Sequence, residues 1–223
     1  MKEFYGRKIS RSISTKNITD LNNSEFFLNQ KNIKLKIKEI RPSFSCFNLE
    51  IGFGNGDNII YQAQNNLNDC FLGCDPFLNG SIKIMKKTEK NKFNNLYFSN
   101  LDFKSFYEYI KKIKFSKIFI LFPDPWPKKK HKKRRLINSE FVKKIHSICK
   151  IKSLIYVYTD DEDYQKEILE IFSKEKGFKT SFINIDTDFP ERFNISTTKY
   201  FRRAQNSQRK SFMTIFKYKN LKN

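Results

Sequence analysis

The stretch Phe122-Pro-Asp-Pro-Trp-Pro-Lys-Lys-Lys-His-Lys-Lys-Arg-Arg135 sets one carboxylate, Asp124, between two prolines and beside the only tryptophan of the chain. A run of cations follows at once. Proline at 123, 125 and 127 fixes φ and removes backbone donors, so the segment is a preset loop and not a helix start. A stiffly held acid next to a polycation suits chemistry performed on a nucleic acid, where cations neutralise phosphates and an acid faces a base. The plainer alternative is a proline-rich turn followed by a solvated charge run. Lys117–Phe122, β-branched and aromatic, predicts a buried strand that delivers Asp124 at its carboxyl end. Ligands of open α/β sheets bind outside those strand ends.

A second chemistry-bearing stretch is Glu50-Ile-Gly52-Phe-Gly54-Asn-Gly56-Asp57. Its glycines permit positive φ and close approach of a ligand to the backbone. A dinucleotide fingerprint needs glycine where Asp57 stands, and an acid at that helix start would repel a pyrophosphate. The pattern instead resembles the first motif of class I S-adenosylmethionine-dependent methyltransferases, whose cofactor has no phosphate and carries two cationic groups. Two further acids fall at predicted strand ends, Asp75 after Leu72-Gly-Cys and Asp102 after Leu96–Leu101. Asp75 is placed to accept both ribose hydroxyls and Asp102 the adenine amino group. For either one alone, a turn or helix N-cap is an equal alternative.

Strand-like runs (Phe47–Ile51, Phe71–Cys74, Leu96–Phe98, Ile118–Phe122, Leu154–Tyr158) alternate with amphipathic helical ones (Asp57–Asn66, Leu78–Lys87, Lys104–Ile113, Ser139–Lys150, Asp163–Ser173). That alternation predicts an α/β, Rossmann-like fold, a mostly parallel seven-stranded sheet with helices on both faces. Lys179–Ile185 and Ser211–Tyr218, with no full helix between them, predict an antiparallel C-terminal edge pair. Residues 44–223 form the expected catalytic domain. Residues 1–43, basic and rich in Asn and Ser, are expected to be an irregular or partly helical extension, mobile without a ligand.

The chain has 223 residues and a formal net charge of +21, which favours a polyanionic partner. Abundant Lys, Asn, Ile and Phe suggest that an AT-rich genome contributes to that charge. Cysteines 46, 70, 74 and 149 match no zinc spacing and read as buried thiols in a reducing cytosol, with no metal. No apolar run approaches 18 residues, so the expectation is a soluble cytoplasmic protein, monomer or homodimer, with no membrane association.

Together these residues resemble the tRNA (guanine-N7-)-methyltransferase family, the bacterial TrmB type. The likeness runs from about Phe44 to Lys217, with a looser echo in Phe4-Tyr-Gly-Arg7. Its most specific element is the stretch from Phe122 to Leu136. Leu49–Gly54, Gly73-Cys-Asp75, Asp102, Thr159-Asp160, Thr198-Lys-Tyr200 and Arg203 match as well. The resemblance implies transfer of a methyl group from S-adenosylmethionine to N7 of a variable-loop guanosine of tRNA, at about position 46. It places Glu50, Asp75, Asp102 and Asp124 at the cofactor, with Asp124 also catalytic. Lys128, Asp160, Thr198, Lys199, Tyr200 and Phe201 would face the substrate, and Lys130, His131, Lys132, Lys133, Arg134 and Arg135 would contact RNA. Asp75 stands for the family's commoner glutamate. Phe201 stands where the family usually carries an acid.

Guanine N7 has a lone pair and no proton, so its methylation needs alignment and charge stabilisation rather than a base. Binding must expose the base, which costs about a few kcal/mol; Trp126, Tyr200 and Phe201 are candidates to stack on it. Two rivals remain at this point. An amino-group methyltransferase on adenine or cytosine would typically show a second proline after Asp124-Pro and leaves the basic run unexplained. A non-catalytic RNA-binding protein on the same fold is hinted at only by Phe201.

Overall fold

The computed structural model describes residues 13–91, 93–184, 195–207 and 210–219; the Phe4–Arg7 echo lies outside them. The chain divides into two compact units, residues 1–113 and 114–223. The first holds α1 (Thr15–Asn23), α2 (Ile33–Ile40), β1 (Phe47–Ile51), α3 (Asp57–Asn65), β2 (Cys70–Cys74), α4 (Leu78–Asn91), β3 (Leu96–Ser99) and α5 (Phe103–Ile110). β2 pairs in parallel with both β1 and β3. Every residue of β1 and β2 is buried, Asn48 and Glu50 of β1 included, as in a sheet covered on both faces.

Residues 13–43 are partly helical, but most of their apolar side chains, Ile18 and Leu35 excepted, belong to the core. Leu21, Phe26 and Phe27 join Phe53, Phe71 and Phe98 in one buried cluster. Phe98 N–H donates to Phe26 O (3.0 Å) and Leu28 N–H to Phe98 O (2.7 Å), so residues 26–28 line the outer edge of β3. Covering an exposed sheet edge protects it from pairing with another chain. Three apolar residues between Asn and Ser clusters are too short a run to show a period, and so the sequence conceals this role.

The second unit holds β4 (Phe115–Leu121), a 3-10 turn (Lys129–Arg134), α6 (Ser139–Ile148), β5 (Cys149–Thr159), α7 (Glu162–Lys174), β6 (Phe178–Asn184), α8 (Lys199–Asn206) and β7 (Phe212–Tyr218). β4 and β5 are parallel, whereas β7 runs antiparallel to both β5 and β6. α7 buries Tyr164, Ile168 and Phe172, one stripe at helical spacing. The seven strands follow the order β3-β2-β1-β4-β5-β7-β6. This is the expected mostly parallel sheet with an antiparallel edge pair. One element was not expected: α8 stands between β6 and β7, started by Thr198, whose Oγ1 accepts from Phe201 N–H at 3.2 Å. Ile185, the expected end of β6, lies outside the described residues.

Candidate active site

In the first unit the acids gather around the glycine loop between β1 and α3. Gly52 has φ 80° and nothing within 4 Å of where a Cβ would stand, so the loop backbone is open there to a ligand. At Gly80 on α4 a Cβ would meet Gly54 O at 1.9 Å, so the helix packs hard against the loop and fixes it. Glu50 is buried and accepts from Asn58 Nδ2 at 2.9 Å. Burial pushes its pKa up to about 8, the Asn58 hydrogen bond opposes this, and the charges of Asp75 and Asp57 add to it. Asp75 Oδ2 accepts from Gly54 N–H (2.7 Å) and Oδ1 from Phe77 N–H (2.8 Å). Asp102 caps α5, its oxygens accepting from Ser105 N–H (3.0 Å) and Ser105 Oγ–H (3.1 Å).

In the second unit β4 ends at Leu121 and the proline loop begins. Phe122 (φ 53°) and Trp126 (φ 43°) are both left-handed, although each precedes a proline, which favours extended backbone. For bulky residues this is an outlier, with a cost of order 1–3 kcal/mol each. Phe122 is held from below: its N–H donates to Tyr158 O at 2.7 Å, and its ring meets Tyr158 edge-on with centroids 4.6 Å apart. Asp124 is exposed between the prolines. Protein atoms around its carboxyl displace water and raise its pKa.

The basic run does not act as one patch. Lys128, Lys129, Lys130 and Lys133 are exposed. Arg134 lies over the Trp126 ring at 5.0 Å, and His131 meets the same ring edge-on at 5.8 Å. The pKa of His131 is lowered, first by desolvation and then by the neighbouring cations, which leaves it neutral at pH 7. Lys132 pairs with Asp163 at 2.7 Å. Arg135, expected to touch RNA, has a side chain only 1% exposed and is ringed by carboxylates, because a buried charge must be paired. The sequence signal for it was Asp163 and Glu167, four residues apart on α7 and therefore on one helix face.

Asp160 is half-buried at the end of β5, beside Asp161, which caps α7 by accepting from Tyr164 N–H at 2.7 Å. Lys199 is exposed, and the Tyr200 side chain lies outside what is described. Phe201 is 4% exposed and stacks on Tyr158 with centroids 5.8 Å apart. It is core, and the expectation that it stacks on a substrate base does not hold. With Leu121, Phe122, Tyr158, Ile195, Ser196 and Thr198 it lines a small apolar pocket.

A family described as "Putative methyltransferase" matches residues 45–214. A tRNA (guanine-N(7)-)-methyltransferase of Wolbachia pipientis wMel is 36% identical over 180 residues, 81% of this chain and 78% of that protein. One of Bradyrhizobium diazoefficiens is 30% identical over 177 residues, 79% of this chain and 75% of that protein. Among solved structures, the 16S rRNA methyltransferase KamB is similar with a TM-score of 0.62 at 11% identity, over 83% of this chain and 94% of that one, a likeness of fold. The matched residues take in both acid-bearing loops, Asp160 and Thr198, and on that likeness the chain belongs to the tRNA (guanine-N7-)-methyltransferase family.

Proposed function

We propose that the protein methylates N7 of a guanosine in the tRNA variable loop, at about position 46, with S-adenosylmethionine as donor. The observation that carries the reading is Asp124, exposed on a loop held in a strained conformation and followed by exposed lysines, in a chain whose relatives bear that name. The residues of the first unit fit the cofactor. Gly52 offers open backbone, Glu50 a buried carboxyl for a cationic group, and Asp75 a carboxylate directly after β2 for the ribose. When bound, S-adenosylmethionine supplies an electrophilic methyl on a sulfonium leaving group.

This chain's own residues then align and stabilise. N7 carries an in-plane lone pair, so no side chain removes a proton to create the nucleophile. Asp124 orients the purine and stabilises the positive charge that it gains, with Asp160 as the second acid on the substrate side. Lys128, Lys130 and Lys133 neutralise phosphates. Asp102 contributes by fixing the start of α5. The test is incubation with unmodified tRNA and the methyl donor, followed by mapping of the modified nucleotide. 7-Methylguanosine at one variable-loop position is the expected product; methyl groups on exocyclic amines, or none at all, would reject the reading.

A further inference from the structure

We propose that Arg135 is a positioning residue that sets where Asp124 and Asp160 stand, by fastening the backbone next to each of them; the proposal rests on the methyltransferase reading above. Its Nε donates to Pro125 O at 2.7 Å, and Pro125 directly follows Asp124. Its Nη2 donates to Asp163 Oδ2 at 2.7 Å and lies 3.9 Å from Asp161 Oδ1, in the residue that directly follows Asp160. Its Nη1 donates to Glu167. The guanidinium lies 4.6 Å over the ring of Tyr164, whose hydroxyl accepts from Ile137 N–H at 2.9 Å. One planar group thus ties the proline loop, the end of β5 and the first turns of α7.

Two physical reasons assign it this work rather than phosphate binding. Its side chain is 1% exposed, while Lys130 and Lys133 beside it are exposed and serve phosphates without rearrangement. The proline loop also needs an anchor. Two aromatic residues in left-handed backbone persist only where the surroundings over-determine them, and Pro125 O lies between them in the chain, directly before Trp126. A lysine could not replace this fork, because an ammonium is a point charge that cannot reach a carbonyl on one side and two carboxylates on the other.

The test compares Arg135→Ala and Arg135→Lys with the parent in single-turnover methyl transfer at saturating tRNA and cofactor. tRNA affinity is measured across salt, and acrylamide quenching of Trp126 reports loop order without needing activity. Both variants should lose about tenfold to a hundredfold in rate, the scale of a reacting group displaced by about 1 Å. Trp126 should become easier to quench, and the slope of log K against log salt should stay at the parent value. A shallower slope with an unchanged rate would make Arg135 an RNA contact and overturn the proposal. So would parental rate and quenching together. If Arg135→Ala does not fold, Glu167→Gln decides, since it keeps the arginine and loosens its far side. A slower rate with a more mobile Trp126 supports the proposal, and parental values for both overturn it. A parent that transfers no methyl would reject the functional reading, while quenching still judges Arg135.

Discussion

The loops after β1 and after β4 both present acids, and they are built from opposite backbone materials. The first takes positive φ at Gly52, Gly54 and Gly56, where the conformation has no steric cost. The second takes positive φ at Phe122 and Trp126, where it is strained, and the Tyr158 carbonyl and an arginine hold it there. Their acids differ in the same sense. Glu50 is buried, with its pKa pushed up to about 8, whereas Asp124 is exposed. A buried carboxyl that is protonated at neutral pH suits a small cationic ligand, whose arrival repays ionisation. An exposed carboxylate suits part of a large polyanion, which brings its own desolvation as it docks. Freedom plus burial makes a pocket for a small molecule; restraint plus exposure makes a presenting edge for a macromolecule.

The most disruptive way to break this contrast is to remove what lies beneath the proline loop. Phe201 stacks on Tyr158, and Tyr158 supports Phe122. Phe201→Ala should cost about 3–5 kcal/mol in urea unfolding, as for a large aromatic removed from a core. Phe201→Glu should fold no better, since it buries a charge. An acid three residues after the Thr198 cap could otherwise complete a capping box, so wild-type stability of Phe201→Glu would return this position to the surface and to the substrate. A second break is chemical: Asp124→Ala should lower methyl transfer at least about a hundredfold, roughly 2.7 kcal/mol. An unchanged rate in the folded variant would remove Asp124 from the site.

The glycine loop can be sharpened through its proton. Glu50 has its pKa raised in the folded chain from 4.5 to about 8, so between those values the unfolded chain releases a proton that the folded chain keeps. Its contribution to stability is therefore complete below about pH 4.5 and falls as pH rises toward 8. Glu50→Gln should abolish that fall in pH-dependent unfolding and weaken S-adenosylmethionine by about 1.5–3 kcal/mol. Calorimetry in two buffers of different ionisation enthalpy should show proton release on cofactor binding to the parent near pH 7, and none with the glutamine. Equal proton release in both would mean that another group carries the linkage.

How much of this was legible in the sequence follows from which interactions are local. The parallel strands, the glycine loop and the strand-end acids could be read because periodicity and turn chemistry are properties of short windows. The role of Asp102 was only half legible, since an aspartate before a helix serves equally as cap and as ligand. Arg135 and Phe201 were misread because their partners are distant in sequence: carboxylates 28 and 32 residues on for the arginine, and an aromatic on β5 for the phenylalanine of α8. In a run of seven Lys and Arg residues interrupted only by His131, nothing local marks the one that turns inward.

That division within the run gives the smallest and most discriminating prediction. Lys130 and Lys133 are exposed, whereas Lys132 is paired with Asp163 at 2.7 Å. A cation that already neutralises a carboxylate releases fewer counterions on meeting a phosphate. Lys130→Gln and Lys133→Gln should each lower the slope of log K against log salt for tRNA by about 0.7–0.9, and Lys132→Gln by distinctly less. None should alter the rate at saturating tRNA, because these side chains hold backbone phosphates and not the reacting base. Equal effects from all three lysines would mean that the Asp163 pair opens when RNA docks, so that Arg135 alone remains tied to that acid. An effect of Lys132→Gln on rate but not on slope would place Lys132 with Arg135 as a second brace of the proline loop.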